Sequence, residues 1–478
     1  MSVQTKDAKE IVYKSPHSVD QILSEGLMQL SMKDRNVVEE EIHGVSTLAP
    51  STTESPDLVE TSLQELSTEL SKIPEDKKVA YMESQLFQNT YVNTPEFRLR
   101  FLRCELFDVK RAAKKIVKFL DYASHLFGPA VLQRPMGMVD FTTEEKKWMQ
   151  NFQILPYRDQ SGRANRTWVG DFAMNQAPPV SIWKVVLYIE YCLSDCVEVQ
   201  QKGIVNVIWV GANKWTSTFD WEMFGHLKRF YQAAPARTCC YHWCMPPLPP
   251  THPIHMVRAA MAMGLPEEQQ RIKFHIGNEI ELMYKLKSYG IPVEYIPVTG
   301  TGKIKTAYMK QWMRNRKLLE SARTSSIADP FVLCPSSNDV LFRKGIHVKC
   351  HPGNVMFESM IEEIMPSYSS ASLKEKASIT KGMISVVHQR GGRFLMWEKD
   401  GYWTEVKDDS QLYSKAAQKV RLLAAKLVGS KQTFESSTSA FIFSDQKPGI
   451  KRRKLCSNTH VVSDSGSDSD GSYNCWAS

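Results

Sequence analysis

Between Phe152 and Pro292 the chain repeats one arrangement, a short apolar run followed by a longer segment of helical period. This alternation constrains the fold more than any other feature. Phe152 to Arg158 reads as a strand that ends in a turn at Asp159 to Arg163. A helical segment from Val180 to Gln200 leads to the strand IVNVIWVG, one from Phe219 to Ala233 leads to RTCCYHWC, and one from Ile254 to Met263 leads to RIKFHIG. A last helix, Glu279 to Tyr289, stops at Gly290, a residue suited to the left-handed conformation that ends helices, and Ile291 and Pro292 follow. Strands this short and apolar need cover on both faces, and intervening helices supply it while making successive strands run parallel. The expected fold class is α/β: a helical lead-in and a mostly parallel sheet covered by helices, with a second small α+β domain and disordered termini.

The lead-in begins where composition changes. From Pro95, FRLRFLRCELFDVKRAAKKIVKFL sets Phe97, Phe101, Val109, Ile116, Phe119 and Leu120 at helical spacing. Phe107 and Asp108 interrupt it, with Asp108 as N-cap of the second helix, so the segment predicts a helical hairpin. Residues 1–80 are rich in Ser, Thr, Glu and Lys with almost no aromatics. Such a segment buries too little apolar surface to offset its ordering entropy, and it predicts disorder, with weak helical patterning at Val19 to Leu30 and Leu58 to Ile73. The resulting division is 1–80 disordered, 81–148 helical lead-in, 149–302 α/β domain, 303–335 basic linker helix, 336–430 small α+β domain and 431–478 disordered tail.

Bulk properties exclude several classes. A chain of 478 residues exceeds one ordinary core, and 42% apolar with 23% charged residues is a globular composition. The net charge of +8 is too small on this length to identify an acidic partner. The opening residues MSVQTKDAKEIV contain no apolar core of a secretory signal, and no apolar stretch is long enough to span a bilayer. Ten scattered cysteines then argue for reduced thiols and a cytoplasmic, or also nuclear, location.

Gly300 to Arg323 carries Lys303, Lys305, Lys310, Arg314, Arg316 and Lys317 around Met309, Trp312, Met313 and Leu319. Two readings are open: a basic amphipathic helix that meets a membrane surface, peripherally, or an acidic partner, and a linker helix whose apolar stripe docks on the preceding domain. Beyond Asn338, helices at Val355 to Met365 and Leu373 to Gln389 precede a hairpin, RFLMWEKDGYWTEV, with its turn at Asp400 and Gly401, and a helix at Gln411 to Leu427. The tail holds KRRK at Lys451 to Lys454 before SDSGSDSDGS, the pattern of a nuclear import signal beside acidophilic kinase sites.

Chemistry-bearing motifs are sparse. On a strand, Cys240, His242 and Cys244 share one face about 7 Å apart per step, a poor match to a tetrahedral metal site. GTGK at Gly300 to Lys303 lacks the rest of a phosphate-binding loop, and neither G-x-S-x-G nor H-E-x-x-H occurs. No catalytic residue, metal or cofactor is expected.

The segments FRLRFLRCELFDVKRAAKKIVKFL, FQILPYRDQSGR with its D-x-x-G-R turn, KGIVNVIWV, the P-x-R step at Pro235, Ala236 and Arg237, and LKSYGIPVEYIP together resemble CRAL-TRIO lipid-binding proteins, in that family's order. The resemblance implies a single hydrophobic ligand held between the sheet and a mobile gating helix. On this chain the gate would be Ile254 to Met263, and the implied ligand-binding residues are Trp209, Met223, Cys240, His242, Cys244, Ile254, Val257 and Met261. Methionine suits a gate because its flexible, polarizable side chain repacks readily. Family members that bind phosphatidylinositol have an acid where this chain has Ala236, and Glu268 to Arg271 departs from their Thr-x-x-Lys step, which turns the expectation away from that lipid. Further on, SNDVLFRKGIHVKCHPGNVMF, GGRFLMWEKDGYWTEV and KAAQKVR resemble an uncharacterised domain common in stramenopile proteins, except that Arg343, Lys344 and Gly345 replace its G-R-G.

The expected function is non-enzymatic binding, transfer or sensing of a hydrophobic small molecule, coupled to a protein partner through 336–430. The alternative is a nuclear regulator whose C-terminal domain binds DNA, with the α/β domain as scaffold. Acids Glu358, Glu362, Glu363, Asp408 and Asp409 offset much of the basic content that such binding needs.

Overall fold

The structure is a computed structural model that describes residues 28–46, 54–150, 178–210, 221–249, 269–291, 298–324, 351–398 and 402–440, with shorter described pieces between them. It divides into two compact units, Met1–Ser337 with Glu398–Thr404, and Asn338–Trp397 with Glu405–Ser478.

In the first unit, α1 (Met32–Ile42) starts at Ser31, whose side chain accepts the Asp34 N–H, and α2 (Pro56–Lys72) starts at Ser55 with Pro56 in the first turn. Both correct the expectation of disorder across 1–80. Helix α2 buries Leu66 and Leu70 in the main core, and α1 buries Val38, Glu41 and Ile42. The expected helical hairpin is α3 (Pro95–Cys104) and α4 (Val109–Phe127), with Asp108 accepting the Arg111 N–H. Leu106 and Phe107 take positive φ at the break between them.

The five-stranded sheet runs in sequence order: β1 (Phe152–Ile154), β2 (Ala164–Val169), β3 (Ile204–Trp209), β4 (Thr238–Met245) and β5 (Ile272–Ile276). Strand β1 is antiparallel to β2, and the remaining pairs are parallel, as the alternation of strands and helices predicts. The crossovers include α5 (Pro179–Leu193) with α6 (Val197–Lys202), and α7 (Trp221–Ala233), while α8 (Glu279–Lys287) follows β5. Helix α5 is buried nearly all round, between the sheet and the Phe97–Phe101–Phe119 ring cluster of the lead-in. Each such buried ring or branched side chain contributes about 1.5–3 kcal/mol. Gly290 ends the α8 segment at φ 79°.

The basic segment forms helix α9 (Ala307–Thr324). Met309, Trp312 and Leu319 are buried, and Met309 and Trp312 belong to the main core. Buried Arg316 pairs with Asp195 at 3.0 Å, while Glu320 accepts the Tyr188 hydroxyl at 2.6 Å. Its apolar stripe therefore docks on the preceding domain. After α9 comes the two-residue strand β6 (Phe331–Val332).

The second unit holds β7 (Val340–Phe342), α10 (Pro352–Ser370), α11 (Leu373–Gln389) and β8 (Phe394–Trp397), with β7 parallel to β8. Its core joins Val340, Phe357, Ile361, Val387 and Phe394 to Leu412 and Val420 of α12 (Asp409–Ala440). Within this unit the Val406 N–H donates to Phe394 O, while in the first unit Trp403 and Thr404 of strand β9 (Trp403–Glu405) pair antiparallel with β6 and the Glu398 N–H donates to Tyr402 O. The expected hairpin turn at Asp400 and Gly401, and the tail with KRRK, lie outside the described residues. Among the described residues no helix is long and apolar enough to cross a membrane.

Candidate functional site

Strand alternation sorts the expected ligand residues onto two faces of the sheet. The β3–β4 register pairs Val205 with Cys240, Val207 with His242 and Trp209 with Cys244, so Trp209, Cys240, His242 and Cys244 share one face. Met223 does not join them. It sits on α7 against the opposite face, where its sulfur accepts the Trp183 indole N–H at 3.1 Å. The expectation of a single pocket containing both is corrected accordingly. Ile254, Val257 and Met261, with most of the expected gate, lie outside the described residues.

The face toward α5 and α7 is filled by its own side chains. Trp168, Trp183, Leu227, Phe230, Tyr241 and Trp243 leave a cavity of about 40 Å³, with Arg166 in its wall. That volume suits a water molecule and no lipid chain. Arg166 is fixed there by an ion pair to fully buried Glu190 at 3.0 Å and a hydrogen bond to Asn206 at 2.7 Å. Asn206 donates to Thr238 at 3.2 Å, and the Tyr241 hydroxyl donates to the same oxygen at 2.9 Å. Burial pushes the Glu190 carboxyl up, against the pull of Arg166 and Lys115.

On the other face an aromatic cluster surrounds His242. Its Nδ1 lies 2.9 Å from His275 Nε2, and the two rings stack with centroids 5.2 Å apart. Tyr289 leans on both imidazoles, 4.5 Å from His242 and 5.3 Å from His275, and His43 stacks on Tyr289 at 4.5 Å. Cys240 Sγ is 3.8 Å from His242 Nδ1. One proton serves the contact between the imidazoles, so His242 Nε2 is left as a bare donor or a bare acceptor, depending on the tautomer. Among the described residues that nitrogen is buried without a hydrogen-bond partner.

Electrostatics on this face argue against nucleophilic chemistry. Burial holds His242 well below the usual histidine range, helped by His275 and nearby cations, and burial lowers His275 to about 4, helped by Lys285 and Lys273. Burial also pushes the Cys240 and Cys244 thiols up. Reactive cysteines need the reverse, a stabilised thiolate beside an imidazolium. Among the described residues no group of three or more His, Cys, Asp or Glu is placed to hold a metal ion.

Below this cluster lies an arrangement that sequence reading missed. Arg163, Arg237 and Arg271 stand immediately before β2, β4 and β5 and converge on the C-terminal end of α1. The fully buried Glu41 carboxylate is shared by Arg237 and by Arg271, the latter at 2.6 Å. Arg163 donates to the Glu41 carbonyl and, at 3.1 Å, to the Ile42 carbonyl, placing a cation at the negative end of α1. The D-x-x-G-R turn presents Arg163: Asp159 Oδ1 accepts the Ser161 and Arg163 N–H groups, Oδ2 pairs with the guanidinium at 2.7 Å, and Gly162 turns at φ 83°. Glu39 pairs with Lys273. Arg237, noted in the sequence for its P-x-R step, thus receives an acid from α1 and not from position 236. The only sequence signal for α1 was the EEEI run after a Ser31 cap.

In the second unit the motif residues meet at one point. Asn354 accepts the Leu341 N–H at 2.7 Å and donates to the Leu341 and Val348 carbonyls. Asp339 takes the backbone and guanidinium N–H groups of Arg393. A Cβ on Gly353 would lie 2.1 Å from Asp339 O, and one on Gly392 2.2 Å from Asn338 O, so only glycine permits these backbones to approach. Asn354 thus ties β7 to the segment just before α10.

Residues 339–422 match the family described as Domain of unknown function (DUF6824). No curated protein matches the chain.

Proposed function

We propose that the α/β unit is a non-enzymatic binding and sensing module for a hydrophobic small molecule, CRAL-TRIO-like in plan, and that the C-terminal unit serves a protein partner. The carrying observation is His242 Nε2, a buried polar atom without a hydrogen-bond partner among the described residues, on a face that also holds Cys240, Cys244 and the rings of His275 and Tyr289. Buried polar groups in folded proteins are paired, so an unpaired one marks a place that a ligand atom would complete. A molecule with an apolar body and one hydroxyl or carbonyl group fits that requirement. The cavity of about 40 Å³ under α7 takes no such body, and the proposed seat is the His242 face.

Native mass spectrometry of the full chain, followed by solvent extraction, tests this reading. The expected result is one co-purified apolar molecule per chain, or saturable uptake of the neutral dye N-phenyl-naphthylamine by the ligand-free chain. His242→Leu should weaken dye binding by about tenfold, the worth of one buried hydrogen bond at about 1.4 kcal/mol. A ligand-free mass combined with no dye uptake overturns the proposal.

A further inference from the structure

Helix α1 is joined to the sheet in an unusual way for a core element. It has eleven residues, and of its apolar side chains only Val38 and Ile42 are buried, packed against Cys240. The rest of its attachment is ionic: Glu41 to Arg237 and Arg271, Glu39 to Lys273, and Arg163 to the last carbonyls of the helix.

The cationic side of this attachment is held in place independently of α1. Arg163 is bound by Asp159, Arg237 donates to Gln201 O at 3.2 Å, and Arg271 donates to Cys239 O at 2.9 Å. These guanidinium groups sit at the starts of strands, where the sheet fixes them, so α1 is an occupant of a site that the sheet builds. Its position also matters for the His242 face. Val38 and Ile42 cover Cys240, His43 just beyond the helix stacks on Tyr289, and Tyr289 leans on His242. Arg163 also donates to Tyr289 O at 3.2 Å, tying the helix end and the aromatic lid residue to one guanidinium.

We infer that α1 is a releasable, autoinhibitory latch, held by its Glu41 and Glu39 carboxylates, whose undocking opens Cys240, His242 and Tyr289 to the hydrophobic ligand. The ligand part of this inference rests on the proposed function, and the latch itself does not. Ionic attachment gives a specific signature. A helix held by apolar packing tightens or stays unchanged as salt rises, whereas the partly exposed Glu39–Lys273 pair weakens as the screening length shrinks and the buried Glu41 cluster is screened much less.

Hydrogen exchange of the unmodified full chain, read by peptide mass, makes the test without any variant. Amides of Met32 to His43 should exchange about tenfold faster than those of β3 and β4, and faster again as salt rises from about 0.1 M to about 1 M, over which the screening length falls from ~10 Å to ~3 Å. The double variant Glu39→Gln with Glu41→Gln should speed α1 exchange by a further tenfold or so. It should raise maleimide labelling of Cys240 in parallel and leave Cys104, buried in α3, at its original rate. Exchange of α1 as slow as that of β3 and β4, and insensitive to salt, overturns the latch. So does a variant in which α1, β3 and β4 loosen together, because α1 is then part of the core. Dye uptake separates the two claims: α1 that undocks without dye binding overturns the ligand reading, whereas dye that binds equally fast with α1 docked overturns the latch.

Discussion

On the face of the sheet toward α5 and α7, buried charge is matched by buried counter-charge: Arg166 meets Glu190, and Asn206, Thr238 and Tyr241 continue the network. The opposite face carries its polarity as two neutral imidazoles, one with a nitrogen lacking any partner among the described residues, and a helix held by ions covers it. Arg166, Glu190 and Asn206 on the first face and His242 and Cys240 on the second are all buried. The faces differ in what a change would cost. The first face is built on a buried ion pair whose loss is costly, while its Trp168 and Trp243 indole N–H groups lack hydrogen-bond partners among the described residues; the second lies under the proposed latch.

The sharpest way to break this contrast is at Arg166. Arg166→Met leaves Glu190 fully buried beside a methyl thioether, and losing one partner of a buried ion pair costs about 3–5 kcal/mol. Denaturant unfolding, followed by a probe in the α/β unit, should show that loss. Combining Arg166→Met with Glu190→Leu should recover most of it, since an apolar pair of similar volume removes both desolvated charges. A loss under about 1 kcal/mol for the single variant would mean that this face is no more rigidly specified than its opposite.

Acid should act on the other face. His275 has a folded-state value of about 4 against an ordinary 6.5, so between those values the unfolded chain binds more protons than the native one. Stability is then fully present above pH 6.5 and is lost as pH falls toward 4, by on the order of 3 kcal/mol from this residue. His242, held lower still, adds to the loss in more acidic solution. Thermal melts across that range should slope downward toward acid, and His275→Asn should flatten the slope. An unchanged slope in the variant would place the acid sensitivity elsewhere and remove one difference between the faces.

How far these differences were readable in the sequence depended on the distance over which the controlling contacts act. The strand IVNVIWV and the cap at Asp108 are local matters of periodicity and hydrogen bonding within a few residues, and both were legible. The shared face of Cys240, His242 and Cys244 followed from strand alternation alone. Helix α1 was not legible because its stability is not local: Glu41 finds Arg237 and Arg271 at sequence separations of 196 and 230 residues. Met223 does not reach the His242 face because a helix's rotation about its axis is set by packing, which sequence spacing alone does not fix. A signal existed in Met223, Leu227 and Phe230, which form an i, i+4, i+7 stripe that meets the core around Trp183. In the second unit, Gly353 and Gly392 were visible as motif glycines, but the backbones they admit came only with the fold.

The smallest expected effect probes the filled face for hidden capacity. Trp243 borders the cavity, and its indole N–H is buried without a partner among the described residues. Trp243→Phe removes that N–H along with part of the ring. The lost packing costs on the order of 1 kcal/mol, and removing an unsatisfied donor returns a similar amount. Stability should therefore stay within about 1 kcal/mol of the original, and dye binding should be unchanged because Trp243 lies on the far side of the sheet from His242. A loss of about 3 kcal/mol or more would show that the indole N–H engages something that stabilises the native state. In that event, or if Trp243→Phe abolishes dye uptake, the ligand seat moves to the cavity under α7, and the ion-held helix α1 would be guarding the wrong face.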